Sequence, residues 1–250
     1  MLFRSEFLHA GVSCVIDAPP GSGKTTRVPL ALMDAPWLGG RKILMLEPRR
    51  LAARSAARHM AGLLREKTGG RIGYRTRLDT RVSKETRVEV VTEGVLTRML
   101  LHDPELSGYG CVIFDEFHER GLHGDLGLTL CLDVRPLRPD MRLIVMSATL
   151  DMPLVRRLLG DCPMFSCPGY PCLVETKYLR LPGASLEERM ARAIRHALET
   201  ETGDILAFLP GAGEIRRTEE LLGAPGPGVA VHPLFGALST ANGSDRKSVV

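Results

Sequence analysis

The sequence lacks the features that would place it in several common functional classes. Aromatic residues make up 5% of its 250 residues, with one tryptophan, so no aromatic platform for stacking bases is evident. No apolar run reaches the length that a bilayer span requires. The net charge of +4 permits a polyanionic partner without arguing for one. The 44% hydrophobic content instead indicates an ordinary globular protein with an aliphatic core.

Metal-binding and targeting patterns are also missing. The cysteines form no C-x-x-C pair and have no histidines at ligand spacing, so we expect no zinc site. We expect free, buried thiols in a reducing cytoplasm. The first nine residues include Arg4, Glu6 and His9, which is unlike a signal peptide, and we expect a cytoplasmic protein without a membrane partner. The cysteines are Cys14, Cys111, Cys131, Cys162, Cys167 and Cys172.

Short apolar runs alternate with helix-like segments along the first two thirds of the chain. The predicted strands cover residues 12–17, 42–47, 71–75, 87–92, 111–115 and 141–147. The predicted helices cover residues 24–33, 51–66, 94–101, 122–132 and 153–159. This alternation predicts an α/β fold, with a parallel sheet that helices cover on both faces. In such sheets ligands bind at the carboxyl ends of the strands.

A cluster of prolines and a glycine at residues 161–171 predicts a boundary, after which a second α/β unit begins. Ser185 and Glu188 have the spacing of a helix capping box. The second unit is predicted to contain strands at 173–181, 204–209 and 229–232 and helices at 186–200 and 213–222. It is too short to close a full sheet.

A glycine-rich turn follows the first predicted strand and opens the first helix. It matches the pattern G-x-x-x-x-G-K-[ST], except that alanine stands at the first glycine. Backbone N–H groups of such a turn bind phosphate, while the lysine reaches the terminal phosphates and the next hydroxyl ligates Mg²⁺. The predicted nucleotide-binding residues are Ala18, Pro19, Pro20, Gly21, Ser22, Gly23, Lys24, Thr25 and Thr26.

Two carboxylates follow the apolar strand that begins at Cys111. Asp115 is predicted to hold Mg²⁺, with Thr25 and Glu116 as the other metal-binding candidates. Glu116 is the candidate base for an attacking water, and His118 lies two residues further on. With Lys24, these three residues form the predicted catalytic set. Hydroxyls at the end of the neighbouring strand, Ser147 and Thr149, are placed to respond to the state of this acidic segment.

A basic helix begins at another strand end, with Arg49 and Arg50. Guanidinium groups suit phosphodiester contacts, which predicts nucleic-acid binding with a strong salt dependence. Thr92 and Gly94 stand at a third strand end and helix start, where a hydroxyl and an N–H can meet a phosphate. The arginines spaced four apart on the basic helix are Arg50, Arg54 and Arg58.

Taken together and in order, these motifs resemble those of DEAH-box helicases of superfamily 2, in particular the bacterial HrpB type. The motifs are A-P-P-G-S-G-K-T-T, E-P-R-R, T-E-G-V-L-T-R, D-E-F-H-E-R, S-A-T-L and L-A-F-L-P-G. The resemblance implies two RecA-like domains, at residues 1–162 and, incompletely, 163–244. It implies Mg²⁺-dependent ATP hydrolysis coupled to movement on nucleic acid, with RNA the preferred partner of the family. It assigns coupling to His118, Ser147 and Thr149, and backbone contacts to Arg49, Arg50, Thr92 and Gly94.

The later motifs of that family, including its arginine finger, are absent from these 250 residues. Residues 245–250 resemble the translation of a sequencing adapter, so we expect an N-terminal fragment with a non-biological tail. Because an arginine finger contributes ~10³–10⁵ in rate, the expectation is ATP binding with poor turnover.

Two other functions remain open at this point. A small-molecule P-loop NTPase or kinase would share the glycine-rich turn but would lack the S-A-T and E-P-R-R elements. A non-enzymatic RNA-binding module gated by ATP would use all the motifs without turnover. No obligate protein partner is inferred.

Overall fold

The computed structural model describes residues 13–148, 152–166 and 174–235. The chain divides into two compact units, Met1–Pro171 and Cys172–Val250. The division therefore falls after Pro171 rather than after residue 162. The reason is a short strand at Met164–Ser166, which pairs with the first strand and extends the sheet of the first unit.

Eight strands and five α-helices make up the described part of the first unit. The strands are β1 (Cys14–Asp17), β2 (Lys42–Glu47), β3 (Ile72–Arg75), β4 (Thr80–Arg81), β5 (Val88–Thr92), β6 (Tyr109–Phe114), β7 (Arg142–Ser147) and β8 (Met164–Ser166). The helices are α1 (Lys24–Leu32), α2 (Arg50–Leu63), α3 (Glu93–His102), α4 (Leu122–Val134) and α5 (Met152–Leu158). Short 3₁₀ turns lie at Pro36–Leu38 and Phe117–Glu119.

The strands form one sheet in the order β4-β3-β5-β2-β6-β7-β1-β8. All neighbours are parallel except the pair of β3 and β4. The fold class predicted from the sequence, an α/β protein with a RecA-like parallel sheet, is thereby confirmed. Because parallel strands share their direction, the carboxyl ends of β5, β2, β6, β7 and β1 meet along one edge of the sheet.

Side chains of the central strands alternate between two hydrophobic cores, one on each face of the sheet. On β6, Cys111 and Ile113 pack on one side, whereas Val112 and Phe114 pack on the other. Helices α1 and α2 cover the first face, with alanines of α2 allowing close approach, and α3, α4 and α5 cover the second. Burial on both faces explains why these strands read as continuous apolar runs.

The second unit contains two described helices, α6 (Leu186–Thr200) and α7 (Ala212–Leu222). The predicted cap of α6 is present, since Ser185 Oγ accepts a hydrogen bond from the Glu188 amide at 3.2 Å. The carboxylate of Glu188 accepts from the Ala184 amide rather than from that of Ser185. The two helices are joined by Arg195, which donates to the backbone carbonyl of Leu221.

The three strands predicted in this unit were wrong for the residues that the structure describes. Residues 174–181, 204–209 and 229–232 form no strand. Their apolar side chains are largely exposed, with Tyr178 at 91% and Phe208 at 80%. A strand requires a hydrogen-bonded neighbour, and no other strand is present within 174–235 to supply one.

Four of the cysteines, at positions 14, 111, 131 and 162, are free and buried, as predicted. Burial raises the pKa of Cys14 and of Cys131 to about 12, so both remain protonated thiols. Cys167 and Cys172 lie outside the described residues. None of the described helices combines the length and apolarity that a membrane span requires.

Candidate nucleotide and nucleic-acid site

The glycine-rich turn connects β1 to α1 as the sequence predicted. Gly21 and Gly23 have φ angles of 74° and 81°, in the left-handed region that favours glycine. Ala18, where the pattern has its first glycine, does not share that conformation and is buried. Alanine is therefore accommodated there without strain. The turn places the N-terminus of α1, the end of a helix that favours anions, at the edge where the strands end.

Lys24, the first residue of α1, is the buried cation of this turn. Its ammonium Nζ lies 3.2 Å from Oε1 of Glu116, and the two side chains are 4% and 29% exposed. The lysine of the turn and the second carboxylate of the acidic segment therefore lie side by side, although 92 positions of sequence separate them. A buried ammonium is costly without an anionic partner, so Glu116 compensates Lys24 in this structure.

Asp115 occupies the end of β6, directly beside this ion pair. Its Oδ1 accepts a hydrogen bond from the Glu116 amide at 2.8 Å. Its Oδ2 is buried without a hydrogen-bond partner among the described residues. Burial raises the pKa of the Asp115 carboxyl above its ordinary value, while contact with Thr25 and the Glu116 amide opposes that rise. An acceptor oxygen left without a partner suits a cation or its bound water.

The donors at this point fit a magnesium ion held mainly by water and phosphate. No cluster of three or more His, Cys, Asp or Glu side chains that could hold a metal occurs within the described ranges. Mg²⁺ commonly uses one or two protein ligands and completes its shell with water and substrate phosphates. Thr25 and Asp115 supply two suitable oxygens. Glu116, the third predicted metal ligand, is engaged by Lys24 instead.

Two further residues predicted near the nucleotide are His118, in the turn after Asp115, and Ser147, at the end of the neighbouring strand β7. His118 Nδ1 is 3.3 Å from Glu116 Oε2, so the histidine contacts the same carboxylate as Lys24. Ser147 is fully buried at the end of β7, between β6 and β1. Its carbonyl accepts a hydrogen bond from the Ala18 amide at 3.0 Å and ties β7 to the glycine-rich turn. Thr149 lies outside the described residues.

The predicted nucleic-acid residues lie along the same edge, on the side of β2 and β5. Thr92 pairs in register with Glu47 and is 7% exposed at the start of α3. Gly94 is exposed, and a Cβ added there would meet nothing within 4 Å. Arg50, the first residue of α2, is also exposed. The two groups of motifs therefore share one edge of the sheet, as their placement at strand ends predicted.

Two arginines of the predicted basic segment are engaged by carboxylates of the protein. Arg54 forms an ion pair with Asp79 at 3.2 Å and is 20% exposed, so it links α2 to the turn between β3 and β4. Arg49 Nη2 and Nε lie 3.1 and 3.3 Å from the two carboxylate oxygens of Glu119. Sequence reasoning assigned no role to Glu119. Since 70 positions separate it from Arg49, no local pattern shows their contact.

Glu47, at the end of β2, is a second residue that sequence reasoning left without a role. It is 2% exposed and lies between Thr92 and Asp115 along the edge. Burial, together with the negative charge of Asp115, raises the pKa of Glu47 from 4.5 to about 9. This carboxyl is therefore neutral at pH 7, and the edge carries less negative charge than its sequence suggests.

The segment after Asp115 is conformationally unusual. Glu116 and Arg120 flank the 3₁₀ turn Phe117–Glu119 and have φ angles of 47° and 49°. Non-glycine residues adopt this left-handed conformation at a cost, and such residues cluster at functional sites. Arg120 is fixed by Asp125, whose Oδ2 lies 2.9 Å from Nη2. Ion pairs of Glu116, Glu119 and Arg120 thus hold the turn on both of its sides.

Comparison with known proteins agrees with this geometry. The sequence model of a family described as DEAD/DEAH box helicase matches residues 5–158. The chain belongs to that family. It is 48% identical over 246 residues to the ATP-dependent RNA helicase HrpB of Escherichia coli strain K12, covering 97% of this chain and 30% of that protein.

Two solved structures are also similar to the chain. The crystal structure of the Escherichia coli DEAH/RHA helicase HrpB matches with a TM-score of 0.87 and 47% identity, over 95% of this chain and 30% of that one. The crystal structure of the E. coli DExH-box NTPase HrpB matches with a TM-score of 0.74 and 47% identity, over 94% and 30% respectively. The chain thus spans less than a third of the length of these relatives.

Proposed function

We propose that this chain binds Mg·ATP at the glycine-rich turn and RNA at the same sheet edge, that it turns ATP over slowly by itself, and that a complete helicase of this kind couples hydrolysis to movement on, or unwinding of, RNA. The observation that carries the proposal is the contact of Lys24 with Glu116 beside Asp115, at the same sheet edge as Arg49. The Escherichia coli relative is called an ATP-dependent RNA helicase, which supports RNA as the nucleic acid and ATP as the nucleotide. Residues 172–244 would belong to a second RecA-like domain, and the cytoplasm would be the compartment.

The residues of the turn and of the acidic segment would divide the chemistry as follows. Lys24 would leave Glu116 and bind the terminal phosphates, and the N–H groups at residues 21–26 would surround them. Thr25 and Asp115 would hold Mg²⁺, which when bound neutralises charge on the phosphates. Glu116, freed from Lys24, would orient the attacking water and accept its proton. His118, Ser147 and Thr149 would transmit the outcome to neighbouring strands.

The nucleic-acid contacts would be sequence-independent. Arg49 and Arg50 would bind phosphodiester oxygens, and Thr92 and Gly94 would offer a hydroxyl and an N–H at the start of α3. Such contacts release counterions. The logarithm of the binding constant for a single strand should therefore fall linearly with the logarithm of the salt concentration, with a slope of ~0.7 per phosphate neutralised. Aromatic residues are too few in this chain to stack on RNA bases, which is consistent with contacts to the sugar-phosphate backbone of the RNA.

A pair of variants tests the proposal. Lys24→Ala should abolish binding of a non-hydrolysable ATP analogue in the presence of Mg²⁺, measured by calorimetry, and should bind oligouridine without nucleotide no more weakly than the parent does. Arg50→Gln should do the reverse, with weaker RNA binding and unchanged nucleotide affinity. Lys84→Ala, at an exposed lysine before β5, is the charge-matched control and should change neither.

Each other result points elsewhere. Nucleotide binding without any RNA binding would replace the proposal with a small-molecule NTPase. Binding of both ligands, with an RNA affinity that depends on the nucleotide but with no detectable phosphate release even in long incubations, would identify an RNA-binding module gated by ATP. Retained nucleotide affinity in Lys24→Ala would show that the glycine-rich turn is not the nucleotide site.

A further inference from the structure

We propose that Glu119 is a positioning residue that holds Arg49 in the nucleotide-free protein, so that occupation of the glycine-rich turn controls how freely Arg49 binds RNA. This inference rests on the function proposed above. It assigns a role to a carboxylate that belongs neither to the nucleotide contacts nor to the nucleic-acid contacts, and that links the two.

Arg49 and Glu119 form an ion pair with two contacts. Two nitrogens of the Arg49 guanidinium face two oxygens of Glu119, at 3.1 and 3.3 Å. Two parallel contacts of this kind are the arrangement by which arginine recognises either a carboxylate or a phosphate. A phosphodiester would therefore use the same nitrogens. Glu119 and an RNA phosphate compete for one guanidinium.

The Arg49–Glu119 ion pair is accessible to solvent. The Arg49 side chain is 73% exposed and that of Glu119 is 31% exposed. The guanidinium can therefore be reached from solvent while the carboxylate holds it. An exposed ion pair is weak, so a phosphate can displace it. Arg50, the next residue, forms no ion pair within the described ranges and provides an internal comparison.

One turn of backbone connects Glu119 to the nucleotide site. Glu119 ends the 3₁₀ turn Phe117–Glu119, and its amide donates to the Glu116 carbonyl at 2.9 Å. Glu116 begins the segment in a left-handed conformation and is held by Lys24. When Lys24 turns to phosphate, Glu116 loses that partner, and a costly backbone conformation loses its main restraint.

The end of the turn at Arg120 is fixed, so a conformational change that begins at Glu116 affects the contact between Glu119 and Arg49. Arg120 is bound to Asp125 of α4 and its guanidinium lies 5.8 Å from the centre of the Phe117 ring. When Glu116 changes its conformation, Glu119 is therefore the nearest charged side chain of the turn that is able to move. The turn Phe117–Glu119 is then a two-state element whose balance both ligands affect.

The test measures RNA binding of Glu119→Gln by anisotropy of a labelled oligouridine, using the whole chain at fixed salt. Without nucleotide, the variant should bind about two- to fivefold more tightly than the parent, the range that an exposed ion pair supports. With Mg²⁺ and a non-hydrolysable ATP analogue, the two proteins should bind RNA equally. Combined with Arg49→Gln, the change at Glu119 should have no effect in either state.

Controls separate this inference from the proposed function. Glu85→Gln removes the same charge from an exposed position before β5 and should leave RNA affinity unchanged. A gain for Glu119→Gln that persists in the Arg49→Gln background would reveal simple repulsion of RNA by the carboxylate and would overturn the inference. An equal gain in RNA affinity with and without nucleotide would show that occupation of the glycine-rich turn does not regulate Arg49, and would overturn the inference.

Two further outcomes complete the design. If Arg49→Gln weakens RNA binding while Glu119→Gln changes nothing, this inference fails and the proposed function stands. If the parent chain binds no RNA in either state, the proposed function fails, and the inference fails with it.

Discussion

Replacing Glu47 by glutamine should remove a large pH dependence of folding. The Glu47 carboxyl is 2% exposed, and its pKa rises from 4.5 to about 9 through burial and through the neighbouring Asp115. Between these two values the folded protein retains a proton that the unfolded chain releases. The free energy of unfolding therefore falls as pH rises from about 4.5 towards 9, and it is insensitive to this group outside that range.

The size of the effect follows from the same numbers. From pH 4.5 to pH 7 is about two and a half pH units, and each contributes about 1.4 kcal/mol. The parent protein should lose about 3 kcal/mol of stability over that interval because of this one carboxyl. Glutamine is nearly isosteric and neutral in both states, so Glu47→Gln should be more stable at pH 7 by a similar amount.

Urea unfolding followed by the fluorescence of Trp37, without nucleotide or Mg²⁺, provides the assay. Trp37 is the single tryptophan, and the Arg142 guanidinium lies 3.7 Å from its ring centroid, so it reports the first unit alone. Glu85→Gln, which changes an exposed carboxylate, should reproduce the parent profile. Parallel pH profiles for the parent and Glu47→Gln would refute a neutral Glu47 in the folded state.

Further substitutions test the packing that positions the site. Gly73→Ala should lower stability by about 1–3 kcal/mol because its Cβ would lie 2.6 Å from a backbone carbonyl of β4, whereas Gly62→Ala, near the end of α2 with open space around it, should stabilise by up to about 1 kcal/mol. Tyr109→Phe removes the hydroxyl 2.9 Å from the fully buried Glu89 carboxylate and should cost about 1–3 kcal/mol. Tyr178→Phe, at a 91% exposed position, should cost nothing measurable. Urea titrations followed by far-UV circular dichroism, which reports both units, measure all four; equal effects for the two tyrosines would contradict the buried network.

The sheet and most of the site could be predicted from the sequence because both depend on local patterns. The run Lys42–Glu47 was predicted with its observed bounds, since a strand buried on both faces is continuously apolar. Motifs at strand ends were expected to meet, because parallel strands end at one edge. At that edge Lys24 contacts Glu116 beside Asp115, and the Ser147 carbonyl accepts a hydrogen bond from the glycine-rich turn.

The rest depends on contacts between distant positions. The three-residue strand β8 exists because it pairs with β1, and its sequence alone gives no signal. Conversely, apolar runs such as 204–209 form no strand without a neighbour. The Arg49–Glu119 pair and the neutral Glu47 arise from tertiary proximity and burial, neither of which a residue pattern encodes.

A crystal structure of the chain with Mg²⁺ and a non-hydrolysable ATP analogue tests the central claim most directly. The account predicts that the Lys24 ammonium has left Glu116 and contacts the terminal phosphates, with the metal beside Thr25 and Asp115. An analogue bound elsewhere, with the 3.2 Å contact between Lys24 and Glu116 intact, would contradict it.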